Sequence, residues 1–134
     1  MAGEAIVRVL IVDDQAPFRN AARTVVGLTP GFEVVGEASS GEEAVDLAGQ
    51  LGPDLVLMDI NLPGINGVEA VRRILAAREE TMAFLLSTYA VGDLPLDART
   101  CGAVAYVNKE DFGPGILRDL WDAGGDPTWQ REAN

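Results

Sequence analysis

The chain has 134 residues, 48% of them hydrophobic, with 21 acidic and 10 basic side chains and a net charge of −11 at pH 7. That supports one core of ordinary domain size and argues against binding of nucleic acid by this chain, which needs a basic stripe. The absence of histidine excludes imidazole bases, histidine metal ligands and an internal phosphohistidine, and the single Cys101 excludes an intrachain disulfide.

Nothing at the N-terminus reads as a leader: Arg8 interrupts the first apolar stretch, two aspartates close it, and no run is long enough to span a bilayer. With one cysteine and no membrane segment, the expected location is cytoplasmic. The first predicted strand, residues 6–12, ends in Asp13-Asp14, and a helical pattern follows over 17–28. A second strand is predicted over 32–37 and a second helix over 41–51, with Ser40 as its cap before the acidic pair Glu42-Glu43. The third strand, 55–58, runs into Asp59 and then the loop Ile60-Asn61-Leu62-Pro63-Gly64-Ile65-Asn66-Gly67. Asn66-Gly67 opens a third helix over 68–78, whose Val68, Val71, Ile74 and Leu75 repeat at core-facing spacing. A fourth strand, 83–86, leads to Ser87. A short fourth helix is expected over 96–101, with Pro95 in its first turn, where a missing N–H costs nothing. A fifth strand over 104–107 precedes Asn108 and Lys109, and a last helix is expected over 112–123.

Short, continuously apolar strands alternating with helices predict a parallel sheet covered on both faces and joined by right-handed crossovers, a doubly wound α/β fold. Residues 1–124 are expected to form the domain. Residues 125–134, polar and punctuated by proline and glycine, are expected to be a short flexible C-terminal tail. Cys101 and Trp121 read as packing residues, and Trp129 is given no role.

A carboxylate at the carboxyl end of a buried strand lies where open α/β sheets meet their ligands. Any one of Asp13, Asp14 and Asp59 could simply cap a loop. Delivered together by two strand ends, they make a site for a hard divalent cation.

With Ser87 and Lys109 added, the stretches Val9-Leu10-Ile11-Val12-Asp13-Asp14, Met58-Asp59-Ile60-Asn61-Leu62-Pro63-Gly64-Ile65-Asn66-Gly67, Leu85-Leu86-Ser87-Thr88 and Ala105-Tyr106-Val107-Asn108-Lys109 resemble the receiver domain of two-component response regulators. The resemblance covers nearly the whole chain, and its spacing is similar to receivers that usually carry a helix-turn-helix output domain. It implies a chemotaxis-regulator-like, flavodoxin-like (βα)5 fold with five parallel strands in the order 2-1-3-4-5. It also implies Mg²⁺ held by Asp14, Asp59 and the backbone carbonyl of Asn61, with Asp13 acting through water. Asp59 would be the phosphoacceptor, served by a histidine kinase, a phosphotransfer protein or a small phosphodonor, with the kinase docking near the first helix around Pro17 and Ala22. Lys109 and Ser87, preferred to Thr88 for its spacing to Lys109, would contact phosphoryl oxygens. Ser87 and an inward-turning Tyr106 would form the switch. The face of fourth helix, fifth strand and fifth helix would bind a downstream protein, a homodimer being one form this could take, and catalysis would extend only to the protein's own phosphorylation and dephosphorylation.

Lys109 is followed by Glu110, where many receivers have a proline after a cis bond. Tyr89, two residues past Ser87, is bulky at a position bordering the phosphoryl group; with Asn61 it is expected to tune dephosphorylation. One alternative is a phosphorylation-independent interaction module, against which the complete acidic set argues. Another is a fragment of a longer DNA-binding regulator, since a helix-turn-helix module would have to follow residue 123. A small aspartyl-phosphate hydrolase is disfavoured, because Asn61 stands where such enzymes need a second aspartate.

Overall fold

The computed structural model describes residues 5–89 and 91–129. The strands β1 (Val7–Val12), β2 (Phe32–Ala38), β3 (Leu55–Asp59), β4 (Met82–Ser87) and β5 (Ala105–Asn108) form one parallel sheet in the order β2-β1-β3-β4-β5. The helices α1 (Ala16–Gly27), α2 (Gly41–Leu51), α3 (Gly67–Ala77) and α4 (Pro114–Ala123) cover its two faces. This is the doubly wound, flavodoxin-like architecture expected from the sequence.

Side chains alternate across a strand, so each apolar strand feeds two cores. Val9 and Ile11, Leu55 and Leu57, Phe84 and Leu86, and Ala105 and Val107 pack under α1 and α4 with Ala22, Val26, Leu117 and Leu120. Leu10 and Val12, Val56 and Met58, Ala83 and Leu85, and Tyr106 pack on the other face with Ala44 and Ala48 of α2 and Val68, Val71 and Ile74 of α3. The caps are as the sequence implies: Ser40 accepts from the Glu43 N–H and Asn66 from the Glu69 N–H, each such cap worth about 1 kcal/mol. Among the described residues no helix is long and apolar enough to cross a membrane.

The sequence reading needs correction in two places. The expected fourth helix is not α-helical; the β4–β5 connection is two short 3-10 turns, Val91–Asp93 and Leu96–Thr100. Leu96 is 99% exposed and Ala98 is the buried residue of the second turn, so no apolar stripe holds an α-helix against the sheet. Nor are residues 125–129 a free tail. Gly125 donates to the Leu120 carbonyl, Asp126 to the Val104 carbonyl, and a 3-10 turn over Pro127–Trp129 buries Trp129 in the core. Residues 130–134 of the expected tail lie outside the described residues.

Candidate functional site

The strand order reverses between β1 and β3, the crevice where open α/β sheets take ligands. Val12 lies opposite Met58, so the next residues, Asp13 and Asp59, leave the sheet side by side. Both are buried, while Asp14 is exposed, and one carboxylate oxygen from each lies within 4.8 Å of the others. Ser87 lies opposite Asn108 on β5, so Ser87 and Lys109 reach the same end from the other side. Together Asp14, Gln15, Asp59, Asn61, Ser87, Thr88 and Lys109 line a polar cavity of ≈ 200 Å³.

The loop between β3 and α3 is fixed by one residue without a side chain. The Gly67 N–H donates to the Ile60 carbonyl at 2.8 Å. A Cβ there would stand 2.1 Å from the Asp59 carbonyl oxygen, so the helix can start against the backbone of Asp59 only with glycine.

Burial, and next the charge of Asp13, push the Asp59 carboxyl up to about 6, with Lys109 opposing. Lys109 Nζ sits 2.6 Å from Asp13 Oδ2, 3.3 Å from Asp59 Oδ1 and 4.6 Å from the centre of the Phe18 ring. The contact to Asp13 is an ion contact outside hydrogen-bond geometry, so the buried Oδ2 keeps no hydrogen bond. Asp13 Oδ1 accepts from the Gln15 N–H, and Arg19 donates to the Asp13 carbonyl at 2.7 Å. Three converging carboxylates, two of them sharing the Lys109 ammonium and one pushed toward its protonated form, are a donor set that fits a hard divalent cation.

On the opposite wall Ser87 Oγ accepts the Tyr89 N–H at 2.9 Å, which keeps its own O–H available as a donor. The Asn61 side-chain amide, which lines the cavity, donates to the hydroxyl of the exposed Tyr89 at 2.8 Å. Tyr106 points inward, 2% exposed, and its hydroxyl donates to the carbonyls of Ser87 and Tyr89. The Lys109–Glu110 peptide is trans.

The structure thus brings Asp14, Asp59, Asn61, Ser87 and Lys109 to one cavity, with Asp13 buried against Lys109, Tyr89 bonded to Asn61, and Tyr106 behind Ser87. Sequence reasoning missed Gln15, which lines the cavity, and Phe18, which lies under the lysine. Neither carries a signature of its own, although both fall in the first turns after Asp13-Asp14, where the chain must pass the site.

The family model described as the response regulator receiver domain matches residues 9–119. Over 126 residues the chain is 32% identical to the nitrate/nitrite response regulator protein NarL of Escherichia coli K12, covering 92% of this chain and 57% of that protein. It is 36% identical over 104 residues to the response regulator GacA of Pseudomonas viridiflava, covering 78% of this chain and 49% of the other. It therefore spans about half the length of these curated relatives. Among solved structures, the response regulator domain of Thermotoga maritima CheB superposes with a TM-score of 0.78 at 31% identity, covering 91% of this chain and 99% of that one. A LuxR-family two-component response regulator from Aurantimonas sp. SI85-9A1 gives 0.79 at 32%, covering 89% and 84%.

Proposed function

The chain belongs to the response regulator receiver domain family of two-component systems, and from that premise we propose that Asp59 is its phosphoacceptor and that phosphorylation switches a protein-binding face. One observation carries the proposal: a buried carboxylate stands beside two further acids and faces, across one cavity, a hydroxyl and an ammonium.

In this reading an Asp59 carboxylate oxygen attacks the phosphorus of a phosphohistidine or a small phosphodonor. The new O–P bond forms as the P–N bond, or the bond to the donor oxygen, breaks, and the leaving group keeps that electron pair. Asp14, Asp59 and the Asn61 carbonyl, with Asp13 through water, would hold Mg²⁺, which when bound keeps Asp59 ionised and neutralises charge on the transferring group. Lys109, already among the carboxylates, turns to a phosphoryl oxygen as a movable point charge. Ser87 gives its O–H to a second oxygen, loosening its hold on the Tyr89 N–H, and the Tyr89 carbonyl carries that change to Tyr106. The Asn61–Tyr89 bridge keeps water from the phosphoryl group.

A groove of ≈ 400 Å³ lined by Gln15, Pro17, Phe18, Ala21, Thr88, Lys109 and Glu110 adjoins the site. It is the surface on which a histidine kinase or phosphotransfer protein would dock. The output partner would meet β5, α4 and the 3-10 turns before β5, and catalysis is confined to the protein's own phosphorylation and dephosphorylation.

The test is intact mass after incubation with Mg²⁺ and acetyl phosphate. One added phosphoryl group, absent from Asp59→Asn and abolished by EDTA, is expected. No addition from acetyl phosphate or from a phosphorylated kinase would replace this reading with that of a phosphorylation-independent interaction module.

A further inference from the structure

Trp129 belongs to none of the elements that build the site, yet it is 3% exposed and packs in the same core layer as Tyr106. The two rings lie 6.4 Å apart between centroids and 32° from parallel. Trp129 also carries the Arg99 guanidinium, 4.3 Å from its ring centre, and Arg99 lies 3.9 Å from Asp126 Oδ2. The segment is held at a conformational cost. Asp126, Thr128 and Trp129 have φ of 56°, 62° and 47°, a left-handed region that aspartate visits readily but a β-branched threonine or a tryptophan occupies only when its surroundings impose it. Those surroundings are the Val104 carbonyl, which takes the Asp126 N–H, and the core into which the Trp129 ring packs beside Tyr106; Trp129 also lines a small groove with Gly92, Leu94, Pro95, Ala98 and Arg99. The β4–β5 connection forms only 3-10 turns there, so Trp129 completes the cover over Tyr106 that a fourth helix would otherwise supply.

We propose that Trp129 is a positioning residue for phosphoryl transfer, holding Tyr106 inward and through it the backbone that presents the Ser87 hydroxyl. The route is continuous. The Trp129 ring packs on the Tyr106 ring, the Tyr106 hydroxyl donates to the Ser87 and Tyr89 carbonyls, and the Tyr89 N–H donates to Ser87 Oγ. Linkage makes the effect reciprocal: whatever favours the inward Tyr106 seats Trp129, and a seated Trp129 favours the arrangement that receives the phosphoryl group. The inference rests on Asp59 being the phosphoacceptor.

The experiment measures the rate of phosphoryl addition from acetyl phosphate and Mg²⁺ by intact mass, with a thermal melt to confirm folding of each variant. Trp129→Ala is expected to slow addition about fivefold, the scale of a modest site-to-site coupling, and Trp129→Phe to restore the parent rate. In a Tyr106→Ala background Trp129→Ala should change nothing further, which a general loss of stability would not reproduce. Equal rates for parent and Trp129→Ala, or the same fold loss with and without Tyr106, would overturn the inference. Should Trp129→Ala not fold, acrylamide quenching of Trp129 in the Trp121→Phe protein decides. Quenching is expected to be weak in that protein and to rise when Tyr106→Ala is added, because the two rings hold each other in place. Constant quenching on loss of Tyr106 overturns the positioning role alone. If Asp59 takes no phosphoryl group, the phosphoacceptor reading falls and this inference with it.

Discussion

The two walls of the cavity are built differently. Asp13 and Asp59 are rooted in β1 and β3, neighbouring inner strands buried on both faces and flanked by α1, α2 and α3. Ser87 ends β4, a third inner strand, Tyr89 lies in the connection just beyond it, and Tyr106 stands on the edge strand β5, with the 3-10 turns of that connection and the turn at Trp129 packed nearby. The acidic wall is fixed by packing. Beyond the buried strand β4 the donor wall depends on the hydrogen bonds that join Ser87, Tyr89 and Tyr106, and a segment outside the regular sheet is where local rearrangement is cheapest. A receiver needs that division: a nucleophile that does not move and a responder that does.

The division can be broken by stability measurements. Leu57→Ala, in β3, should cost about 4 kcal/mol in denaturant unfolding, within the range for a buried leucine, whereas Leu94→Ala, half-buried in the β4–β5 connection, should cost less than about 1.5 kcal/mol. Equal costs would show the walls to be equally supported.

The acidic wall should also reveal itself through pH. The folded Asp59 carboxyl lies near 6 against an ordinary value of 3.8. Between those values the native state binds the extra proton, so metal-free stability is highest below the ordinary value and falls as pH rises through the window. Asp59→Asn removes that loss. Without metal it should match the parent near pH 4 and exceed it at pH 8 by up to about 3 kcal/mol. Urea midpoints at the two pH values read the difference, and a constant offset would remove burial as its cause. Added Mg²⁺ should restore much of the parent's stability at pH 8, because a bound cation favours the ionised carboxylates.

Lys109→Ala tests the group that bridges the walls. It should slow phosphoryl addition from acetyl phosphate by about a hundredfold, typical of losing one preorganised charge partner, while Mg²⁺ binding to the acids survives. Loss of both would make the lysine a structural counterion. The smallest effect belongs to the Asn61–Tyr89 hydrogen bond. Tyr89→Ala should shorten the lifetime of the phosphorylated protein about threefold, the scale of one exposed hydrogen bond. An unchanged decay rate would remove Tyr89 as a water barrier.

The acidic wall was the legible one. Apolar runs ending in Asp13-Asp14 and Asp59, and a proline-glycine loop ending in Asn66-Gly67, state strand, turn and cap chemistry in consecutive letters. The donor wall was legible only in its chemical groups. That Tyr106 reaches the Tyr89 carbonyl depends on the pairing of β4 with β5 and on a ring orientation that no local pattern encodes. The residues 96–101 were misread because five residues of 3-10 turn share their composition with an α-helix, and the exposure of Leu96 is a tertiary outcome. Trp129 was hidden for a related reason: Thr128 and Trp129 itself are not residues that announce a left-handed backbone.

The contact of Gly67 with the Asp59 carbonyl has a consequence for mutability. Side chains along the loop that face the cavity can be exchanged with the backbone path intact, but position 67 admits no β-carbon at all. A saturation library of residues 60–67 sorted for folded protein should therefore tolerate variety at most columns, favour glycine at position 64, where φ is +74°, and return a single letter at the last. The loop can be rewritten for new chemistry only around that fixed point.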